Sequence, residues 1–116
     1  PDSVVDQVLH ALRRQNLVDD AKVARLWRDN RENFKPSSAW AVKRELIAKG
    51  VDSSLVDEIV CGIDDEDNAY RSGLRQVKKI KVSDFTTFYR RLLGHLRRRG
   101  FSESICRHTI NRLWKE

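Results

Sequence analysis

Two segments fifty residues apart carry the same local instructions. Leu46-Ile47-Ala48-Lys49-Gly50-Val51-Asp52-Ser53-Ser54-Leu55 is echoed by Leu96-Arg97-Arg98-Arg99-Gly100-Phe101-Ser102-Glu103-Ser104-Ile105. Each reads as a helix ending on a basic residue, a glycine where the backbone needs positive φ, an apolar plug, a polar N-cap and a new helix. A degraded third copy, Leu12-Arg13-Arg14-Gln15-Asn16-Leu17-Val18-Asp19, has Asn16 in the glycine's place, and asparagine is the usual second choice for a left-handed cap. A chain of 116 residues with this internal echo is predicted to be an array of helix–turn–helix units.

Apolar residues at spacings of three and four predict about seven helices and no strands. The first covers about residues 3–15, with Val4, Val5, Val8, Leu9 and Leu12 on one face. The second starts from the Asp19–Asp20 cap and uses Val23, Ala24, Leu26 and Trp27. Pro36 breaks the chain, and Ser37 or Ser38 caps a third helix carrying Ala39, Trp40, Val42, Leu46 and Ile47. The fourth runs from Asp52 through Leu55, Val56, Ile59, Val60 and Ile63. The fifth follows Asp64-Asp65-Glu66-Asp67 and buries Ala69, Tyr70, Leu74, Val77 and Ile80. The sixth begins near Ser83–Asp84 with Phe85, Phe88, Tyr89, Leu92, Leu93 and Leu96. The seventh starts at Ser102 with Ile105, Cys106, Thr109, Ile110 and Leu113. The grouping is a trailing helix of an N-terminal repeat (1–18) and two three-helix repeats (19–63 and 64–116). Each unit has a narrow apolar stripe, so neighbours are expected to stack into an elongated, curved all-α array.

The formal charge of +6 hides a division. Residues 71–116 carry a balance of +10 and residues 1–70 a balance of −4, which predicts a basic end suited to a polyanion or an acidic partner. On the sixth helix Arg90, Arg91, Arg97 and Arg98 lie opposite the aromatic and leucine stripe. On the fifth, Arg71, Arg75, Lys78 and Lys79 lie away from Leu74 and Val77. These eight residues are the candidate binding face. Arginine and lysine alone give affinity without sequence choice.

Other constellations yield less. The acidic run 64–67 lacks the glycine and spaced acids of a calcium loop, and a helix dipole accounts for it. Cys106-Arg107-His108 has no second pair at zinc spacing, and His10 and His95 fall off the apolar stripes, in positions expected to face solvent. No nucleophile–base pair, glycine-rich phosphate loop or paired carboxylates are evident, so neither an enzyme nor a cofactor is expected. Trp27 and Trp40 are predicted to pack, whereas Trp114 sits at the edge of its stripe and Cys61 opposite one. No run nears the roughly 18 apolar residues of a membrane span, and no signal peptide is evident. Two unpatterned cysteines suit a reducing, cytoplasmic setting. The start at Pro1, without Met, suggests a fragment or a processed chain.

Three segments resemble motifs of the bacterial RecX regulators. Leu17-Val18-Asp19-Asp20-Ala21-Lys22-Val23-Ala24-Arg25 is similar to the family's tyrosine-leucine-aspartate-aspartate entry segment. Arg44-Glu45-Leu46-Ile47-Ala48-Lys49-Gly50-Val51 resembles its E-L-x-x-K-G-[IV] signature, and Leu96-Arg97-Arg98-Arg99-Gly100-Phe101-Ser102 its L-x-x-R-G-F-S close. The three occur in order across nearly the whole chain. Asn16-Leu17 departs from the usual glycine-tyrosine, and the family's first two helices have no counterpart upstream.

The resemblance implies a curved array of three-helix units lying in the groove of the RecA–DNA filament, modulating ATP hydrolysis, strand exchange and co-protease activity. A monomer that contacts the filament, and DNA through non-specific phosphate contacts, is expected. A helix–turn–helix module on duplex DNA is the alternative permitted by the repeated turns, although no helix combines Asn or Gln base-readers with arginines in its first turn. A purely protein-binding scaffold is a third.

Overall fold

A computed structural model describes residues 4–7 and 20–116. The third turn echo around Asn16, the Asp19 cap, His10 and most of the first expected helix lie outside the described residues; residues 4–7 are helical. Six further helices follow: α1 (Asp20–Phe34), α2 (Ala39–Ala48), α3 (Ser53–Val60), α4 (Asp65–Val77), α5 (Phe85–Arg98) and α6 (Glu103–Lys115). No strand occurs among the described residues. The molecule is elongated, 54 × 25 × 18 Å, with a radius of gyration of 16.1 Å. A compact domain of this length would have a radius of about 13 Å.

Short polar side chains start the helices. Ser38 accepts from Ala41 N at 3.0 Å, Asp52 from Ser54 N at 2.9 Å and Asp64 from Asp67 N at 3.1 Å. Asp84 accepts from Thr87 N at 2.9 Å and Ser102 from Ile105 N at 3.3 Å. Each satisfies an amide that the first helical turn leaves without a partner. Hydrogen bonding to Ser54 and to Thr87 holds the Asp52 and Asp84 carboxyls below the usual carboxylate range.

The paired turns are superimposable in their hydrogen bonds. Gly50 and Gly100 have φ of 89° and 88°. Val51 N donates to Leu46 O and Gly50 N to Ile47 O, at 3.1 and 2.9 Å. Phe101 N and Gly100 N donate to Leu96 O and Arg97 O, at 3.2 and 2.9 Å. This is the double bond pattern of a Schellman turn, with the apolar plug (Val51 or Phe101) buried beside the leucine whose carbonyl it caps.

Each three-helix unit closes its own core. Ala24, Trp27, Val42, Leu46, Val51, Val56, Ile59 and Val60 pack together, joined by Val5. Ala69, Phe88, Leu92, Leu96, Phe101, Cys106, Ile110 and Leu113 form the second cluster. The close helix pairs all fall inside one unit or the other: α1 with α2 and α3, α2 with α3, and α4, α5 and α6 with one another. The expectation that apolar stripes would be buried by stacking of neighbouring units is therefore corrected. Three helices converging on one centre already remove those stripes from water.

Several stripe assignments shift for the same reason. Leu26, Trp40, Ile47 and Leu74 are exposed, at the margins of faces that only three neighbours cover. The face that α4 buries is Asn68, Ala69, Ser72 and Gly73 rather than a leucine stripe. A Cβ on Gly73 would lie 2.7 Å from Leu113 Cδ1, so the missing side chain lets α4 and α6 approach closely. Trp114 packs edge-on with Phe85 and tilted on Phe88, at centroid distances of 5.3 and 5.0 Å. Cys61 is exposed and Cys106 is buried.

Candidate functional site

The junction between the two units is polar, and the basic residues of α4 help to build it. Asn68, only 2% exposed, donates from Nδ2 to Glu32 Oε1 at 3.1 Å and to Ser37 O at 3.0 Å. Arg71 donates to Glu32 O at 2.8 Å, to Glu32 Oε2 at 3.2 Å, to Asn68 Oδ1 at 2.6 Å and to Asp67 Oδ2 at 3.1 Å. Arg75 reaches Asn33 O and Phe34 O at 3.1 and 3.2 Å. These carbonyls end α1, where the helix dipole favours a cation. Two further contacts cross the junction. Asp65 Oδ1 accepts from Ala39 N at 2.8 Å, and Ser38 N donates to Arg99 O at 3.0 Å. Of the acidic run 64–67, Asp64 caps α4, Asp65 caps α2 and Asp67 pairs with Arg71.

A cleft of about 370 Å³ opens where the junction meets the C-terminal unit. Lys35 and Pro36 border it from the α1–α2 connection, Ser72, Arg75, Gln76 and Lys79 from α4 and its end, and His95, Arg98 and Arg99 from α5 and its end. Phe34 stands at the rim with 70% of its surface exposed. Five cationic side chains and no carboxylate line this space. Among the described residues no carboxylate pairs with Lys79 or Arg98.

His95 lies in the wall and is half-buried, contrary to the exposed position expected for it. Its Nε2 is 2.8 Å from Ser72 Oγ. Burial, followed by the charges of Arg99, Arg98 and Lys79, pushes its pKa down to about 4, so the ring is neutral at pH 7. A neutral imidazole and a hydroxyl amid five cations offer polar contacts without adding charge.

The eight candidate residues are therefore divided. Arg75, Lys79 and Arg98 converge on the cleft. Arg71 is committed to the junction. Arg90 and Arg91 are exposed on α5 away from the cleft, and Lys78 is exposed at the end of α4. Arg97 pairs with Glu103 across the α5–α6 turn. Sequence periodicity missed Lys35, Arg99 and Phe34 as members of this site. The signal available was an aromatic beside a lysine just before the helix-breaking Pro36. It also missed Arg31, 4% exposed, which pairs with Glu45 and lies 4.8 Å from the centroid of the Trp27 ring. Among the described residues no group of His, Cys, Asp and Glu is placed to hold a metal, and no helix is long and apolar enough to cross a membrane.

Two helical units joined through a polar seam, with a basic cleft at the seam, define a helical-repeat protein. No family model and no solved structure matches the chain. Curated relatives do. The regulatory protein RecX of Chlorobium limicola is 30% identical across 97% of this chain and 70% of the relative. That of Mycobacterium avium is 36% identical across 91% and 64%, and that of Streptomyces coelicolor 28% identical across 100% and 63%. The chain belongs to the RecX family. It spans 63% of the Streptomyces relative, 64% of the Mycobacterium relative and 70% of the Chlorobium relative.

Proposed function

We propose that this chain binds the RecA recombinase filament and modulates it, mostly by inhibition of ATP hydrolysis, strand exchange and co-protease action. The observation that carries the reading is membership of a family whose relatives are described as regulatory proteins, over 97% of this chain in one of them. A 54 Å helical body with a C-terminal half of charge +10 supports it, because such a shape can bridge neighbouring protomers of a polymer while its cations meet phosphates or acidic side chains. Inhibition is then mechanical: a rod attached at several points opposes rearrangement of the polymer, without catalysis of its own.

The test is DNA-dependent ATP hydrolysis by RecA, with this chain added after filaments have formed. Inhibition is expected at well below one chain per recombinase. The double substitution Arg90→Glu and Arg97→Glu should weaken filament binding by about tenfold or more while helical content is retained. Loss of the Arg97–Glu103 surface pair itself matters little to stability. Unaltered hydrolysis at equimolar chain would remove the reading.

A further inference from the structure

We propose that the cleft at the unit junction is a phosphodiester site for a single nucleic-acid strand, with Phe34 as the platform on which one base stacks. The proposal deepens the reading above, which leaves the basic face without a defined seat for any ligand.

The first argument is electrostatic. Lys35, Arg75, Lys79, Arg98 and Arg99 come from three separate segments to border one space of about 370 Å³. Cations brought this close repel one another, and no carboxylate lines the cleft to offset them. The field they create is a standing attraction for an anion, strengthened by the concave wall.

The second argument is chemical. Guanidinium groups match the paired oxygens of a phosphate, and lysine supplies a point charge beside them. Ser72 and His95 already share a hydrogen bond of 2.8 Å in the wall, and they add neutral polar groups suited to ester oxygens. A carboxylate from an acidic protein segment would use the cations equally well but would leave the Phe34 ring without a partner. Phe34 is 70% exposed and borders the same space. An exposed aromatic at the rim of a basic groove is the arrangement that holds unpaired bases. A duplex offers no free base face, so a single strand is the occupant.

The site is held open by the fold. Arg75 is tied to the carbonyls that end α1, and the Asn68–Glu32–Arg71 network fixes α4 against α1 beside it.

The experiment uses the 116-residue chain without recombinase, titrated into a short fluorescein-labelled oligothymidylate and read by anisotropy. Lys79→Glu with Arg98→Glu should weaken binding by about tenfold or more. The same change of charge at Arg107 and Lys115, both exposed on α6 and outside the cleft, should weaken it by no more than about threefold. Phe34→Ala should cost about fivefold or more. Circular dichroism confirms that all variants keep their helices. Equal losses from the cleft and α6 reversals would show diffuse attraction and overturn the proposal. So would displacement of the strand by polyglutamate as readily as by unlabelled oligothymidylate, which would make the occupant an acidic protein segment. Running the unaltered chain beside the cleft variant in the RecA hydrolysis assay separates the two readings. Strand binding through the cleft with no effect on RecA would leave the site standing and remove the filament function.

Discussion

At the scale of the residue, His95 shows how one side chain takes its character from its neighbours. Its folded pKa of about 4 lies below the ordinary 6.5, so the unfolded chain takes up a proton before the folded one does. Stability contributed by the neutral ring is present above pH 6.5 and is lost as pH falls from 6.5 toward 4. Allowing for solvent screening of a half-buried ring, the loss is about 1 kcal/mol. His95→Gln can preserve a hydrogen bond to Ser72 and should flatten the stability profile across this window, measured as the urea midpoint at pH 7 and pH 4.5. The histidine's setting was not legible in the sequence. Helical periodicity placed it off the leucine stripe of α5, and its partner Ser72 lies 23 positions away on α4. Polar pairs between helices leave no trace in apolar spacing. Arg31 and Asn68 were missed for the same reason, since burial of either depends on a partner in another helix.

The elements were much easier to read. Ser38, Asp52, Asp64, Asp84 and Ser102 all cap helices where short polar side chains precede apolar periodicity, and both glycines of the paired turn adopt the left-handed backbone. These signals are local, so a single segment contains them. The inner face of α4 was harder, because Asn68, Ser72 and Gly73 are selected by closeness to α6 and α1 rather than by hydropathy. Gly100 combines both kinds of constraint. Its φ of +88° disfavours any side chain, and a Cβ there would meet Ser38 Oγ at 2.5 Å and Ala41 Cβ at 2.8 Å. Gly100→Ala should therefore destabilise the chain by about 2–4 kcal/mol, from backbone strain and from overpacking against α2. A thermal melt checks it, with Gly94→Ala as the comparison, since there the nearest side-chain atom is Arg98 Nη1 at 3.4 Å and the backbone is helical.

For the whole molecule, the elongated all-helical form was legible from the fifty-residue echo, whereas the chemistry of the seam was not. Glu32 and Asn68 are 36 positions apart and neither carries a pattern. The two apolar clusters do not merge, so the relation between units rests on directed polar bonds and on the close approach of Gly100 to α2. Replacing Asn68 and Arg71 together by alanine should leave helical content near its original value and loosen the seam, at a cost of about 2–4 kcal/mol. Small-angle scattering should then give a radius of gyration above 16.1 Å, and thermal unfolding should broaden as the units melt separately. An unchanged radius and a single sharp transition would mean that the remaining bonds, Arg75 to Asn33 and Phe34, Asp65 to Ala39 and Ser38 to Arg99, suffice.

That seam also determines where the molecule yields under load. Tension along the 54 Å axis passes from one hydrophobic centre to the other through a handful of polar bonds, the contact of Gly100 with α2 and one connecting peptide segment. Bonds of that kind break over a fraction of an ångström, and water heals them, whereas pulling a helix out of its cluster exposes apolar surface all at once. A polymer that shifts beneath this chain would therefore flex it at the seam first, like a hinge pin between two rigid plates, and leave both plates folded and able to re-engage.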